Sequence, residues 1–135
     1  MGTPRGITNK NPGNIRPGSE PWKGQIAIDD HNFCVFDTEV DGLRALAKQL
    51  LAYHDHHGLT TIRQYIDRWA PPVENDTGHY VSDVCARCMS GPDDAYDLHH
   101  APDLDLIMKA IVHHEQGQQP YTDAQFDEAI ADAYA

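Results

Sequence analysis

Several things are scarce in this chain, and each scarcity narrows what it can be. Only three cysteines are present, Cys34, Cys85 and Cys88, too few for a disulfide framework. Cys85 and Cys88 form a C-x-x-C, but no second ligand pair stands at zinc-finger spacing, and the motif falls in a helical pattern, so both read as ordinary thiols. No apolar run is long enough to span a membrane, and the opening stretch MGTPRGITNKNPGN lacks the apolar core of a secretory signal. If the protein works outside the cytoplasm, another agent is expected to carry it there. Basic residues are few, 10 Lys and Arg against 21 Asp and Glu, for a net charge of −11 with His neutral. That balance argues against a nucleic-acid partner, because phosphate binding relies on basic patches. The acidic residues concentrate late, from Asp93 to Asp132, and read as a solvated face. The first 25 residues are net basic instead, with Arg5, Lys10, Arg16 and Lys23 against Glu20.

Histidine is abundant by comparison, with 9 residues. His54, His56 and His57, then His99 and His100, then His113 and His114 form three clusters with metal-ligand chemistry. None matches a zincin pattern such as H-E-x-x-H, and the first cluster sits where a helix is expected to end. No metal or other cofactor is assigned from the sequence.

The 135 residues suit one compact domain, 1–135, with a core of its own. Residues 1–20 are rich in Gly, Pro and Asn and fit no regular element. Ile7, Ile15 and Trp22 can anchor this stretch, which makes it a shaped loop. QIAI and FCVF, joined by Asp29-Asp30-His31-Asn32, read as a β-hairpin over 25–36. Helices are expected over 38–57, capped by Thr38 and ended by Gly58; over 60–69, stopped by Pro71-Pro72; and over 77–89, starting between Asn75 and Thr77. Two more are expected over 103–116 and from Thr122 or Asp123 to Tyr134. The order of loop, hairpin and about five helices predicts a mainly α (α+β) fold, with a cleft between a hairpin lobe and a helical lobe.

The helix over 103–116 carries the most chemical information. Leu104, Ile107, Met108, Ile111 and Val112 recur at three- and four-residue spacing, one buried face. Glu115 continues that stripe, four residues after Ile111, in the last turn before Gly117. The helix dipole and partial burial both disfavour an anion there. Both effects push a carboxyl group toward the protonated form that a general acid needs near neutral pH. The plainer reading is that Glu115 reaches solvent or pairs with His114. Glu39 and Glu74 compete for a catalytic role, but each lies at a helix start, where a carboxylate is stabilised structurally. Trp69 shares an apolar face with Ile62 and Ile66 and reads as core.

The strings Gly6-Ile7-Thr8-Asn9-Lys10-Asn11-Pro12-Gly13-Asn14-Ile15-Arg16, Trp22-Lys23-Gly24, Arg68-Trp69-Ala70-Pro71-Pro72-Val73-Glu74-Asn75-Asp76-Thr77 and His114-Glu115-Gln116-Gly117 carry a resemblance. With them the chain resembles, over nearly its whole length, small phage and prophage virion-associated proteins of the lysozyme-like superfamily. A second resemblance concerns the site. Lytic transglycosylases and bacterial glucosaminidases carry a catalytic Glu at the end of a buried helix, followed by an Asn-x-x-Gly-Ile-like loop, a tryptophan and a β-hairpin. Here the loop, tryptophan and hairpin come first and the helix ending in Glu comes near the C-terminus. The parts match as a circular permutation.

The resemblance implies a peptidoglycan-cleaving glycosidase, a muramidase or lytic transglycosylase acting between N-acetylmuramic acid and N-acetylglucosamine, with Glu115 as general acid. A hydrolase also needs a second carboxylate. Asp30 is the candidate, because it occupies the hairpin position where the glucosaminidases carry one, although plain turn chemistry is the default explanation of an Asp at that place. Without a second carboxylate, the sugar's own 6-hydroxyl attacks and a single Glu serves as acid and then base. Trp22 and Tyr80 are expected to stack on sugar rings, and Asn11 and Asn14 to bind acetamido groups. The implied partners are peptidoglycan glycan strands and other virion proteins, with no nucleic acid and no membrane insertion. The implied location is the virion, or the periplasm and cell wall after delivery. A non-catalytic virion or glycan-binding protein with the same shell is the alternative.

Overall fold

The computed structural model describes residues 2–73 and 75–135. The fold is mainly helical with a small antiparallel sheet, an α+β arrangement. Its elements run α1 (Arg5–Thr8), β1 (Gln25–Ile28), β2 (Cys34–Phe36), α2 (Glu39–His57), α3 (Ile62–Trp69), α4 (Thr77–Cys88), α5 (Ala101–Gln116) and α6 (Asp123–Tyr134).

The helix starts follow side-chain capping. Thr38, Thr61, Asp76 and Thr122 each accept a hydrogen bond from a backbone N–H three residues on. Thr61 with Gln64, and Thr122 with Gln125, close full capping boxes. Gly58 and Gly117 end α2 and α5 in the left-handed conformation. Three expected boundaries differ. α3 begins at Ile62 rather than 60, because Thr61 serves as its N-cap. α5 begins at Ala101, because Pro102 is tolerated within the first helical turn. α4 ends one residue before the expected 89: Met89 itself takes the left-handed cap, at φ 53°, ahead of Gly91.

α2 packs chiefly on α6, and α5 and α3 pack on α4. Leu43, Leu46 and Leu50 from α2, Leu104, Ile107, Met108 and Ile111 from α5, and Phe126 from α6 are all fully buried. Each large side chain so buried contributes about 1.5–3 kcal/mol relative to exposure. Among the described residues, no helix is long and apolar enough to cross a membrane.

β1 and β2 pair antiparallel with Ala27 opposite Val35 and Ile28 opposite Cys34, and with an irregularity between Gln25 and Ala27. Two strands alone are marginal, and the N-terminal loop completes them. The Cys34 N–H donates to the Ile15 carbonyl at 3.0 Å and the Phe36 N–H to the Asn9 carbonyl at 2.8 Å. The loop thus acts as an irregular third strand along β2. The turn hangs on Asp29, whose carboxylate accepts from the His31 and Phe33 N–H groups, Asn9 Nδ2 and Arg5, all at 2.9 Å.

Residues 5–8 were expected to be irregular and form the single turn α1. Its N-cap is Pro4 with no side-chain hydrogen bond, so no capping signal marks it. Packing against α5 explains why it forms.

Candidate functional site

Asn11 is the hinge on which the loop is built. Its Oδ1 accepts from the Ile15 N–H, and its Nδ2 donates to the Ile15 and Cys34 carbonyls, each at 2.9 Å. The side chain is fully buried. It closes the loop from Asn11 to Ile15 and ties it to β2. Within the loop Asn14 adopts φ 51°, a left-handed conformation that Asn tolerates better than most residues. Its side-chain amide thereby faces α5.

Glu115 comes from the last turn of α5 and meets Asn14 there. Asn14 Nδ2 donates to Glu115 Oε1 at 2.8 Å. The next residue, Gln116, is buried and donates through Nε2 to the Pro12 carbonyl at 2.8 Å. Two successive side chains at the helix end therefore fasten the loop. On the other side, the Tyr80 hydroxyl from α4 donates to Glu115 Oε2 at 2.6 Å. Burial, and then the neighbouring Glu115 charge, hold the Tyr80 phenol well above its ordinary value, so it stays a donor. His114 stacks on Tyr80 with ring centres 3.7 Å apart, and its Nδ1 lies 2.7 Å from Asp83 Oδ2. Burial works against the Asp83 carboxylate, but hydrogen bonds from His114 and Arg87 outweigh it and keep the group below its usual range. Asp83 and His114 on one side, and Tyr80 and Glu115 on the other, are hydrogen-bonded pairs joined only by the ring contact between His114 and Tyr80.

Glu115 is half-buried and opens into a cleft of about 660 Å³ whose lining includes Asn14, Arg16, Phe33, Tyr53, Trp69 and Asn75. That size suits a small ligand or a few sugar rings. Glu115 is the one carboxylate among the described lining residues. Tyr53 and Trp69 meet edge-to-face with centres 6.5 Å apart, and the Arg16 guanidinium lies 4.2 Å above the centre of the Phe33 ring. Two walls form: aromatic on the helical side, cationic and aromatic on the hairpin side.

The structure brings together only part of the sequence-derived set. Glu115 and Asn14 meet in the cleft. Asn11 does not face it; every polar group of its amide is engaged with backbone, so it shapes the loop and has nothing left for a ligand. Tyr80 is only 2% exposed; its ring is covered and only its hydroxyl reaches the site, so it cannot be a stacking surface. Asp30 does not line the cleft. Its side chain is 82% exposed on the outer side of the hairpin turn and pairs with Arg5 at 3.0 Å. Trp22 is partly buried and lies beside an adjoining groove that shares Arg16 and Gln49 with the cleft. Glu39 sits in the first turn of α2, away from the cleft lining. Glu74 falls outside the described residues.

Sequence reasoning missed most of the lining, including Trp69, Tyr53, Arg16, Phe33 and Gln49. Trp69 shares a helical stripe with buried Ile62 and Ile66, yet at the end of α3 it is only partly covered and turns toward the loop. The thiols are unreactive by placement: all three are buried and free, and burial pushes Cys88 up to about 11.

A small mainly helical α+β domain, with one carboxylate held by two donors in an aromatic-walled cleft, is the class that the fold and site define. Its sequence matches no known family profile. It is 36% identical over 122 residues to protein P5 of Pseudoalteromonas phage PM2, an alignment spanning 87% of this chain and 74% of P5. The chain belongs to the family of that phage protein.

Proposed function

We propose that this protein is a peptidoglycan-cleaving glycosidase, acting on the bond between N-acetylmuramic acid and N-acetylglucosamine with Glu115 as general acid. The observation that carries the reading is the Glu115 carboxyl group, fixed between Asn14 and Tyr80 at 2.8 and 2.6 Å and open to the cleft. A general acid must be aimed before its substrate arrives, and two donors on the two oxygens aim it. Each oxygen keeps a further lone pair for a proton or a sugar hydroxyl.

The layout also suits the permuted order. A helix-end Glu, an Asn-Pro-Gly-Asn-Ile loop and a hairpin converge although the Glu lies 101 residues after Asn14. In this reading Trp69 and Tyr53 carry sugar faces, and Arg16 meets the carboxylates of the muramyl peptide. Asp30 no longer serves as the second carboxylate; the route through the sugar's own hydroxyl, with Glu115 as acid and then base, is the simpler one for the residues in the cleft. Kinship with a phage protein favours delivery in or by a virion, with peptidoglycan and other virion proteins as partners.

A second reading is a non-catalytic glycan-binding virion protein. Both Glu115 oxygens already hold donors, and a carboxylate so placed can accept from a sugar hydroxyl without transferring a proton.

Digestion of purified peptidoglycan by wild type and Glu115→Gln, with products read by mass spectrometry, decides between them. Gln keeps the shape and removes the acid. Release of muropeptides by wild type alone supports the enzyme. Anhydro ends then assign a transglycosylase, and reducing ends a hydrolase. Glycan binding without cleavage by either protein favours the second reading.

A further inference from the structure

A second cluster of chemistry lies at the far end of α2, outside the cleft lining. His54 and Asp55 close that helix, and the segment between α4 and α5 brings His99 and Asp97 against them. His54, Asp55 and His99 each offer a ligand atom, and the three atoms lie within 4.8 Å of one another. His99 Nε2 is 2.6 Å from Asp55 Oδ1. His54 Nε2 is 3.7 Å from Asp97 Oδ1.

The orientation of His54 is the informative part. Its Nδ1 lies 2.9 Å from the Leu59 carbonyl oxygen. A carbonyl only accepts, so Nδ1 carries the hydrogen. The Tyr65 hydroxyl, 3.0 Å from the same nitrogen, donates its own hydrogen to the Tyr96 carbonyl at 2.9 Å and so also acts as an acceptor toward His54. In the neutral ring Nε2 is therefore a bare lone pair, and it faces the Asp97 carboxylate. Two acceptors opposed at 3.7 Å repel unless a cation stands between them. A histidine whose Nδ1–H is held by a backbone carbonyl while Nε2 points to carboxylates has the arrangement of a metal ligand with its supporting contact. Asp97 is fixed as well: its Oδ1 accepts from the His99 N–H at 3.0 Å.

We propose that His54 Nε2, His99 Nε2 and Asp55, with Asp97 as the fourth side chain, bind a divalent transition ion of the zinc class. Two imidazoles and carboxylate oxygen suit zinc better than calcium or magnesium, which take oxygen alone. Tetrahedral zinc with bonds of about 2.0–2.2 Å sets its ligand atoms roughly 3.3–3.6 Å apart. His99 Nε2 and Asp55 Oδ1 share a hydrogen at 2.6 Å in this structure, so the ion takes the place of that hydrogen and the two exposed side chains rotate apart to the zinc spacing. The bound ion clamps the 97–100 segment to the end of α2, the helix that also supplies Tyr53 to the cleft. The site is thus a structural staple and lies outside the proposed chemistry.

The test is titration of chelator-treated protein with zinc sulfate, followed by calorimetry and by thermal unfolding. One ion should bind per chain, and Tm should rise by several degrees at saturation. His99→Ala removes an exposed ligand with little effect on folding and should weaken binding at least about tenfold; His54→Gln should do the same. His57→Ala, on the same exposed helix end and outside the group, should bind as wild type does. Absence of saturable 1:1 binding overturns the proposal. So does undiminished binding by His99→Ala, or stability that follows pH but not zinc, which would make the cation between His54 and Asp97 a proton.

Discussion

Asn14 and Glu115 are 101 positions apart in sequence and 2.8 Å apart in space. The contact joins the left-handed corner of the N-terminal loop to the last turn of α5. It is how this fold makes a site: the loop supplies the donor and the helix supplies the carboxyl group. A hydrogen bond to a charged group is worth about 1.5–3 kcal/mol. Asn14→Ala should therefore lower kcat/KM on peptidoglycan roughly 10- to 100-fold, with a further small loss of stability from placing Ala at positive φ. Unchanged turnover in a folded Asn14→Ala protein would detach Asn14 from the chemistry.

Tyr80 acts through its hydroxyl alone. Tyr80→Phe keeps the ring in the core and its stack on His114 while deleting the donor to Glu115 Oε2. We expect Tm to shift by only a few degrees and kcat to fall about tenfold, in line with the loss of one charge-assisted hydrogen bond. A stacking role in substrate binding would give the reverse pattern, since Phe stacks as well as Tyr and kcat would hold. Steady-state kinetics beside a thermal melt separate the two.

The sequence made the helices legible because their signals are local. Thr38, Thr61 and Thr122 announce helix starts, Gly58 and Gly117 announce ends, and the stripe Leu104–Ile107–Met108–Ile111 announces the buried face that carries Glu115. The site was legible only where a residue type and a helix position agreed, as for Glu115. Asn11 and Asn14 show the limit. Both are loop asparagines three residues apart, and nothing local tells which one turns inward to bind backbone and which one faces α5. That is settled by the pairing of the loop with β2, a contact between distant segments. Asp29 and Asp30 differ in the same way: Asp29 gathers the hairpin turn and Asp30 points outward to Arg5. Trp69 reads as core because periodicity reports which face of a helix turns inward, and at a helix end that face can border a cleft.

Asp29 should leave a mark on the pH dependence of stability. Burial alone would raise its carboxyl, but hydrogen bonds from the Phe33 N–H, Asn9, Arg5 and the His31 N–H outweigh that and hold it well below the usual carboxylate range. The folded value thus lies under the unfolded one, about 3.9. Its contribution is fully present above that unfolded value and is lost as pH falls through it toward the folded value. Wild type should show a falling urea midpoint from about pH 5 downward. Asp29→Asn should be less stable at pH 7 and show a shallower acid slope. Parallel slopes for the two proteins would remove Asp29 from the acid response.

Two glycine-to-alanine changes on helices should have opposite signs. Ala is favoured over Gly inside a helix by about 0.5–1 kcal/mol. Gly78, near the start of α4, has open space at the Cβ position, with Asp76 Oδ1 the nearest atom at 3.8 Å. Gly78→Ala should therefore raise stability by up to about 1 kcal/mol and leave activity unchanged. Gly42, in the first turns of α2, lies directly under the N-terminal loop. A Cβ there would collide with the Lys10 carbonyl oxygen and approach Pro12 Cδ to 2.8 Å. Lys10 is already at φ 52°, and Asn11 fixes the following segment to backbone, so the loop has little room to yield. Gly42→Ala should cost about 1–3 kcal/mol, in the range of overpacked cores. It should also lower activity, because lifting Lys10 and Pro12 drags Asn14 away from Glu115. Denaturant melts and peptidoglycan digestion of both variants provide the check. A stable and fully active Gly42→Ala protein would show that the loop does not depend on this contact to aim Asn14.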